Sequence, residues 1–87
     1  MAYQVLIKAS AEKDIRRLPR DVRARVAAAI LALHEEPRPA GVHKLKGRGE
    51  EGWRMRVGDY CVVYRIDDSL RQVTIYGVRH RREVYRF

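Results

Sequence analysis

Apolar and polar positions change their spacing along this chain, and each change predicts an element. Residues 3–9 partly alternate and are rich in Val, Leu and Ile, which predicts a short strand. Ser10 then has the chemistry of a helix N-cap, with Glu12 favourably placed in the first turn. A short helix is expected to reach Leu18, where Pro19 interrupts it and opens a second one. Val22, Val26, Ala29, Ile30 and Leu33 recur at helical spacing, with Arg20, Arg23 and Arg25 largely off that stripe. Pro37 and Pro39 stop this second helix. Residues 40–52 are polar, hold four glycines and a basic run from His43 to Arg48, and read as a loop. Three strands follow, at 52–57, 60–66 and 72–78, separated by turn signals at Gly58-Asp59 and at 67–70. The order β-α-α-β-β-β predicts a single α+β domain over residues 1–87, a helical hairpin packed on a small antiparallel sheet.

The two-residue turn at Gly58-Asp59 fixes the register of its strands. Val57 faces Tyr60, Arg56 faces Cys61, Met55 faces Val62, Arg54 faces Val63 and Trp53 faces Tyr64. Because side chains alternate across a sheet, Trp53, Met55, Val57, Tyr60, Val62 and Tyr64 share the face for the helices to cover. Arg54, Arg56, Cys61, Val63 and Arg65 share the other, which is therefore basic. A second basic cluster, Arg79-His80-Arg81-Arg82, follows the last strand and returns to the same region. A single surface arginine usually serves solubility; several on one face, with a tyrosine nearby, suit phosphate grip and base stacking.

Composition sharpens that picture. Nineteen Lys and Arg stand against 11 Asp and Glu, a formal charge of +8, and the isoelectric point is near 10.3. The excess favours a polyanionic partner, with solubility or an acidic protein surface as the alternatives. Cys61 is the one cysteine, so neither an intramolecular disulfide nor a cysteine zinc site can form. No apolar run approaches the roughly 20 residues of a membrane span. The N-terminus lacks a basic start and cleavage site, so a cytoplasmic location is expected.

Several segments together resemble the RelE/ParE toxin superfamily, and most closely its RelE-type mRNA interferases. They are Lys44-Leu45-Lys46-Gly47, the stretch from Gly52 to Tyr60, Val62-Val63-Tyr64, and the ending from His80 to Tyr85. The resemblance implies a toxin of a type II toxin–antitoxin module that enters the ribosomal A site and cuts mRNA. There the ribose 2′-hydroxyl attacks the adjacent phosphate and a 5′-hydroxyl leaves. It implies basic side chains and a stacked tyrosine rather than a metal or other cofactor. It also implies an acidic RelB-like antitoxin, the ribosome and mRNA as partners, and a toxin–antitoxin hetero-oligomer. Arg54 and Arg56 stand where the family often has two lysines. Arg79 best matches its arginine after the last strand, with Arg81 close by, and Tyr85 matches its base-stacking tyrosine. Lys44, Lys46, Arg65 and Arg81, with Cys61, complete the expected substrate-binding surface. Family toxins often add a C-terminal helix; none is expected after Phe87.

Two positions depart from the family pattern. Arginine holds phosphate charge well but is a poor general base, leaving Tyr85, His80 or a ribosomal group as proton acceptor. Cys61 replaces an arginine that the pattern expects. It reads as a natural variant with weakened activity, as an engineered change permitting production of a poisonous protein, or as a reactive thiol activated by flanking arginines. Beside the nuclease stand two alternatives: a ParE-like inhibitor of DNA gyrase, and an inactive toxin retained for antitoxin binding and operon repression.

Overall fold

The predicted elements form in the predicted order, with a two-residue strand and a short C-terminal turn of helix added. The computed structural model describes residues 2–45 and 52–84. Its elements are β1 (Gln4–Ile7), α1 (Ala9–Arg16), α2 (Arg20–Ala32), β2 (His43–Lys44), β3 (Trp53–Val57), β4 (Tyr60–Asp67), β5 (Gln72–His80) and α3 (Arg81–Val84). Strand order is β1-β5-β4-β3-β2. The β3–β4 register is the one the turn predicts, from Val57↔Tyr60 to Trp53↔Tyr64. Gly58 supplies the positive φ of 60° that the tight turn needs. At the next turn, Asp67 Oδ1 accepts from Ser69 Oγ at 2.7 Å and Leu70 N at 3.0 Å.

The sheet is mixed rather than purely antiparallel, because β1 pairs parallel with β5, Gln4↔Gln72 to Ile7↔Ile75. No turn joins these strands; β1 simply takes the edge that β4 leaves open. Beyond Ile75 that edge is covered by α1. Lys8 N donates to Ile75 O at 3.0 Å, Ser10 Oγ donates to Tyr76 O at 2.9 Å, and Val78 N donates to Asp14 Oδ2 at 3.0 Å. Ser10 is therefore not the N-cap: Lys8 holds that place without a side-chain cap, and the serine hydroxyl is diverted to the sheet edge. Likewise Pro19 caps α2 rather than entering it.

The core lies on one face of the sheet. Ala11, Leu18, Val26, Ile30 and Leu33 pack against Met55, Val57, Val62, Tyr64, Val73, Ile75 and Val78. These are the helical stripe and the inward positions of the strands, so hydrophobic burial selects this face. At one end, Arg38 bridges to Asp68 with Nη2–Oδ2 at 2.8 Å, Tyr3 donates to the same carboxylate at 2.7 Å, and Arg38 stacks over Trp53. Hydrogen bonds from Arg38 and Tyr3 hold Asp68 below the usual carboxylate range.

Tyr64 is fully buried, and its hydroxyl donates to Pro37 O at 2.9 Å, pinning the chain after α2 to the sheet. Burial pushes its phenol up to about 12, above the ordinary value near 10. A raised folded-state value stabilises the fold below pH ~10 and loses that contribution as pH climbs through the folded value. Tyr64→Phe should therefore be less stable than the parent by about 1 kcal/mol at neutral pH, from the unpaired Pro37 carbonyl. The gap should close between pH ~10 and ~12, read by urea unfolding of both proteins across that range.

Candidate nucleic-acid interface

The β3–β4 turn and the β4–β5 pairing together build the basic face. Arg56 lies opposite Cys61, and Cys61 lies opposite Arg79 on the other side. Directly opposed residues share a face, so Arg56, Cys61 and Arg79 form one row across three strands. The next row is Arg54, Val63 and Gly77, and His43 of β2 extends it beside Arg54. Helices α1 and α2 pack on the opposite side. Spacing between neighbouring strands is roughly 4.8 Å, so Arg56 and Arg79, one strand to either side of Cys61, are both within side-chain reach of one phosphate.

Two further cations, Arg25 and Arg81, join Arg56 at the hairpin tip. Arg56 Nε donates to Gly58 O at 3.0 Å, and the Arg25 guanidinium lies against Gly58. Arg81 donates its backbone N–H to Asp59 O at 2.8 Å, and its Nε sits 4.0 Å from Asp59 Oδ1. Arg25 reaches this place because α2 crosses beneath the hairpin. Nothing in the local sequence of α2 signals it.

Cys61 is 2% exposed, although it lies on the face away from the helices. Burial raises its pKa, outweighing the downward pull of Arg54, Arg56 and Arg81. The reactive-thiol reading is corrected accordingly: desolvation of the thiolate wins over the nearby positive charge. Native protein should react with a neutral-pH disulfide reagent many-fold more slowly than protein unfolded in guanidinium, the release of the coloured thiol reporting both rates. Equal rates would contradict the burial.

The other predicted positions separate. Arg65 lies on the basic face one row beyond Val63, with its guanidinium 5.0 Å from the Tyr76 ring centroid. Lys44 pairs with Trp53, which turns it to the helix side; His43 occupies the place beside Arg54. His80 pairs with Tyr60 and meets its ring edge-on at 5.4 Å, so it too faces away from the arginine row. Lys46 and Tyr85 lie outside the described residues. Among the described residues no group of three or more His, Cys, Asp or Glu side chains is placed to hold a metal. No helix among them is long and apolar enough to cross a membrane.

Comparison with known proteins agrees with this architecture. The family model described as ParE toxin of type II toxin–antitoxin system, parDE, matches residues 5–85. The chain is 36% identical over 87 residues to Toxin RelG of Mycobacterium tuberculosis, covering 99% of each. It is 35% identical over 85 residues to Toxin RelE of the same organism, covering 97% of this chain and 87% of the relative. Among solved structures, it resembles a chain of the toxin–antitoxin complex RelBE2 from M. tuberculosis, with TM-score 0.81, 30% identity and coverage of 92% and 99%. A chain of the archaeal RelE–RelB complex from Pyrococcus horikoshii OT3 superposes with the same TM-score and identity, covering 93% of this chain and 97% of that one.

Proposed function

The chain belongs to the RelE/ParE family of type II toxin–antitoxin toxins, and from that premise we propose that it is a ribosome-dependent endoribonuclease that cuts mRNA in the A site. The observation that carries this reading is the row Arg56–Cys61–Arg79, backed by Arg54 and Arg81, on the face opposite α1 and α2. In the reaction the 2′-oxygen bonds to the adjacent phosphorus as its proton departs. The bond to the 5′-oxygen then breaks, and that oxygen takes up a proton. Negative charge grows on the non-bridging oxygens between these events. Fixed guanidinium groups stabilise it, and such preorganised electrostatics is usually the largest catalytic contribution.

Arginine does not accept the 2′ proton, because a guanidinium is not a practical general base in a protein. Cys61 is buried with a raised pKa, and His80 points to the other side of the sheet. The proton acceptor therefore comes from Tyr85 or from the ribosome. Cys61 leaves the middle of the row neutral. Cys61→Arg should raise cleavage by about tenfold or more by adding a donor to the forming dianion, as primer extension on translated mRNA would read. Equal activity would remove position 61 from the mechanism.

The second partner is an acidic antitoxin. A groove of about 480 Å³ between α1, α2 and β1, walled by Ile7, Ile15, Ile30 and Leu31, suits the apolar side of an amphipathic segment. Leu31 is 70% exposed within it. The charge of +8 favours acidic residues on that segment's other side.

The family description ParE and the neutral Cys61 favour one second reading, inhibition of DNA gyrase without nuclease chemistry. Primer extension with and without ribosomes separates the two. Cuts inside codons only when ribosomes are present support the nuclease. Intact mRNA with gyrase-linked DNA breaks overturns it.

A further inference from the structure

The pairing of β4 with β5 slips between Val63 and Tyr64: Val63 pairs with Gly77, and Tyr64 with Ile75. Tyr76 is thus the extra residue of a β-bulge, a device that re-aims a side chain. The other three tyrosines of the described residues pack in or against the core. Tyr76 instead meets cations on the basic face. The Arg65 guanidinium carbon is 5.0 Å from its ring centroid, and Lys8 Nζ is 5.6 Å from it. Between Tyr76 and Arg79 along the strand, only Gly77 and the inward-facing Val78 intervene. Gly77 carries no side chain, and the space a Cβ there would enter is taken by Asp14 Oδ2 at 3.2 Å and Arg79 Nε at 3.6 Å, so the Arg79 side chain lies back along the strand beside Gly77. At about 3.3 Å per residue, the ring lies roughly 10 Å from the arginine row. That is the span of one or two nucleotides of a single strand.

We propose that Tyr76 is a stacking seat for a nucleobase of the bound RNA, one or two nucleotides from the phosphate gripped by Arg56 and Arg79, with Lys8 and Arg65 holding the flanking phosphates. The proposal rests on the ribonuclease reading and extends it to a specificity subsite. An aromatic ring bordered by cations is the arrangement by which single strands are held without base-edge readout. With no RNA present the charged ends of Lys8 and Arg65 lie over the ring, and a base takes the ring face as they turn to the flanking phosphates.

The test is fluorescence anisotropy of a labelled single-stranded RNA decanucleotide with the intact protein at low salt. Tyr76→Leu should weaken binding by about tenfold, and Tyr76→Phe should bind within about twofold of the parent, because the ring carries the stacking. The salt dependence of Tyr76→Leu should match the parent, whereas Arg65→Gln should lose about 0.7 from the slope of log K against log salt. A decanucleotide made abasic at alternate positions should bind the parent more weakly than the intact strand does, with a smaller penalty for Tyr76→Leu. Tyr76→Val, which suits a strand, replaces the leucine variant if thermal unfolding shows that variant misfolded. Equal affinity of parent and both non-aromatic variants, or an equal abasic penalty in parent and variant, overturns the subsite alone. A parent that binds no RNA at any salt overturns the subsite, whereas the ribonuclease reading fails separately, on intact mRNA in primer extension with ribosomes present.

Discussion

Arg79→Ala should lower mRNA cleavage on programmed ribosomes by about two to three orders of magnitude, the loss typical of removing one preorganised donor from a developing oxyanion. Arg79 is well placed for this because β5 carries it onto the row of Arg56, with Cys61 between them. Its side chain is exposed, so truncation removes charge without opening the core. The thermal midpoint should therefore stay close to that of the parent, and this separates lost chemistry from lost fold. Arg79→Lys should fall between the two, since an ammonium restores the charge but not the planar two-point grip on phosphate. Single-turnover cleavage of an A-site codon, followed by primer extension, reads all three proteins. Parent-like cleavage by Arg79→Ala would move the chemistry away from this row and towards Arg81.

Ile75→Ala should destabilise the fold by about 2–5 kcal/mol, from lost transfer energy and the cavity left behind. Ile75 is fully buried and joins three strands at once, pairing with Ile7 of β1 and Tyr64 of β4. A domain of this size has a total stability of only about 5–10 kcal/mol, so the substitution takes a large share of it. The position also adjoins the bulge at Tyr76, and poor closure of the cavity would disturb the basic face above it. Urea unfolding followed by tryptophan emission from Trp53 gives the measurement. A loss below about 1 kcal/mol would mean that the neighbours collapse into the space, since the cost depends on how well a site can relax.

Much of the candidate site was legible because it depends on local rules. Gly58-Asp59 dictates one register, and that register places Arg54, Arg56 and Cys61 on one face and Met55, Val62 and Tyr64 on the other. The β3–β4 pairing follows this pattern residue by residue. The helical stripe from Val22 to Leu33 likewise leads to the buried Val26, Ile30 and Leu33. Errors arose where a local preference met a longer-range partner. Ser10 has cap chemistry, yet Tyr76 O lies within its reach, and the sheet edge takes the hydroxyl. Cys61 has cationic neighbours that alone would activate it, yet burial outweighs them.

By itself, then, the sequence determined the hairpin register, the helical faces, the basic charge and the family pattern, because each depends on neighbours a few residues apart or on composition. Tertiary structure alone decided the parallel docking of β1, the arrival of Arg25 at the hairpin tip, the turning of Lys44 and His80 to the helix side, and the bulge that sets Tyr76 among cations. The physical reason is shared: each depends on backbone hydrogen bonds and packing between segments far apart in the chain, and side-chain alternation within one strand carries no information about which strand will lie beside it.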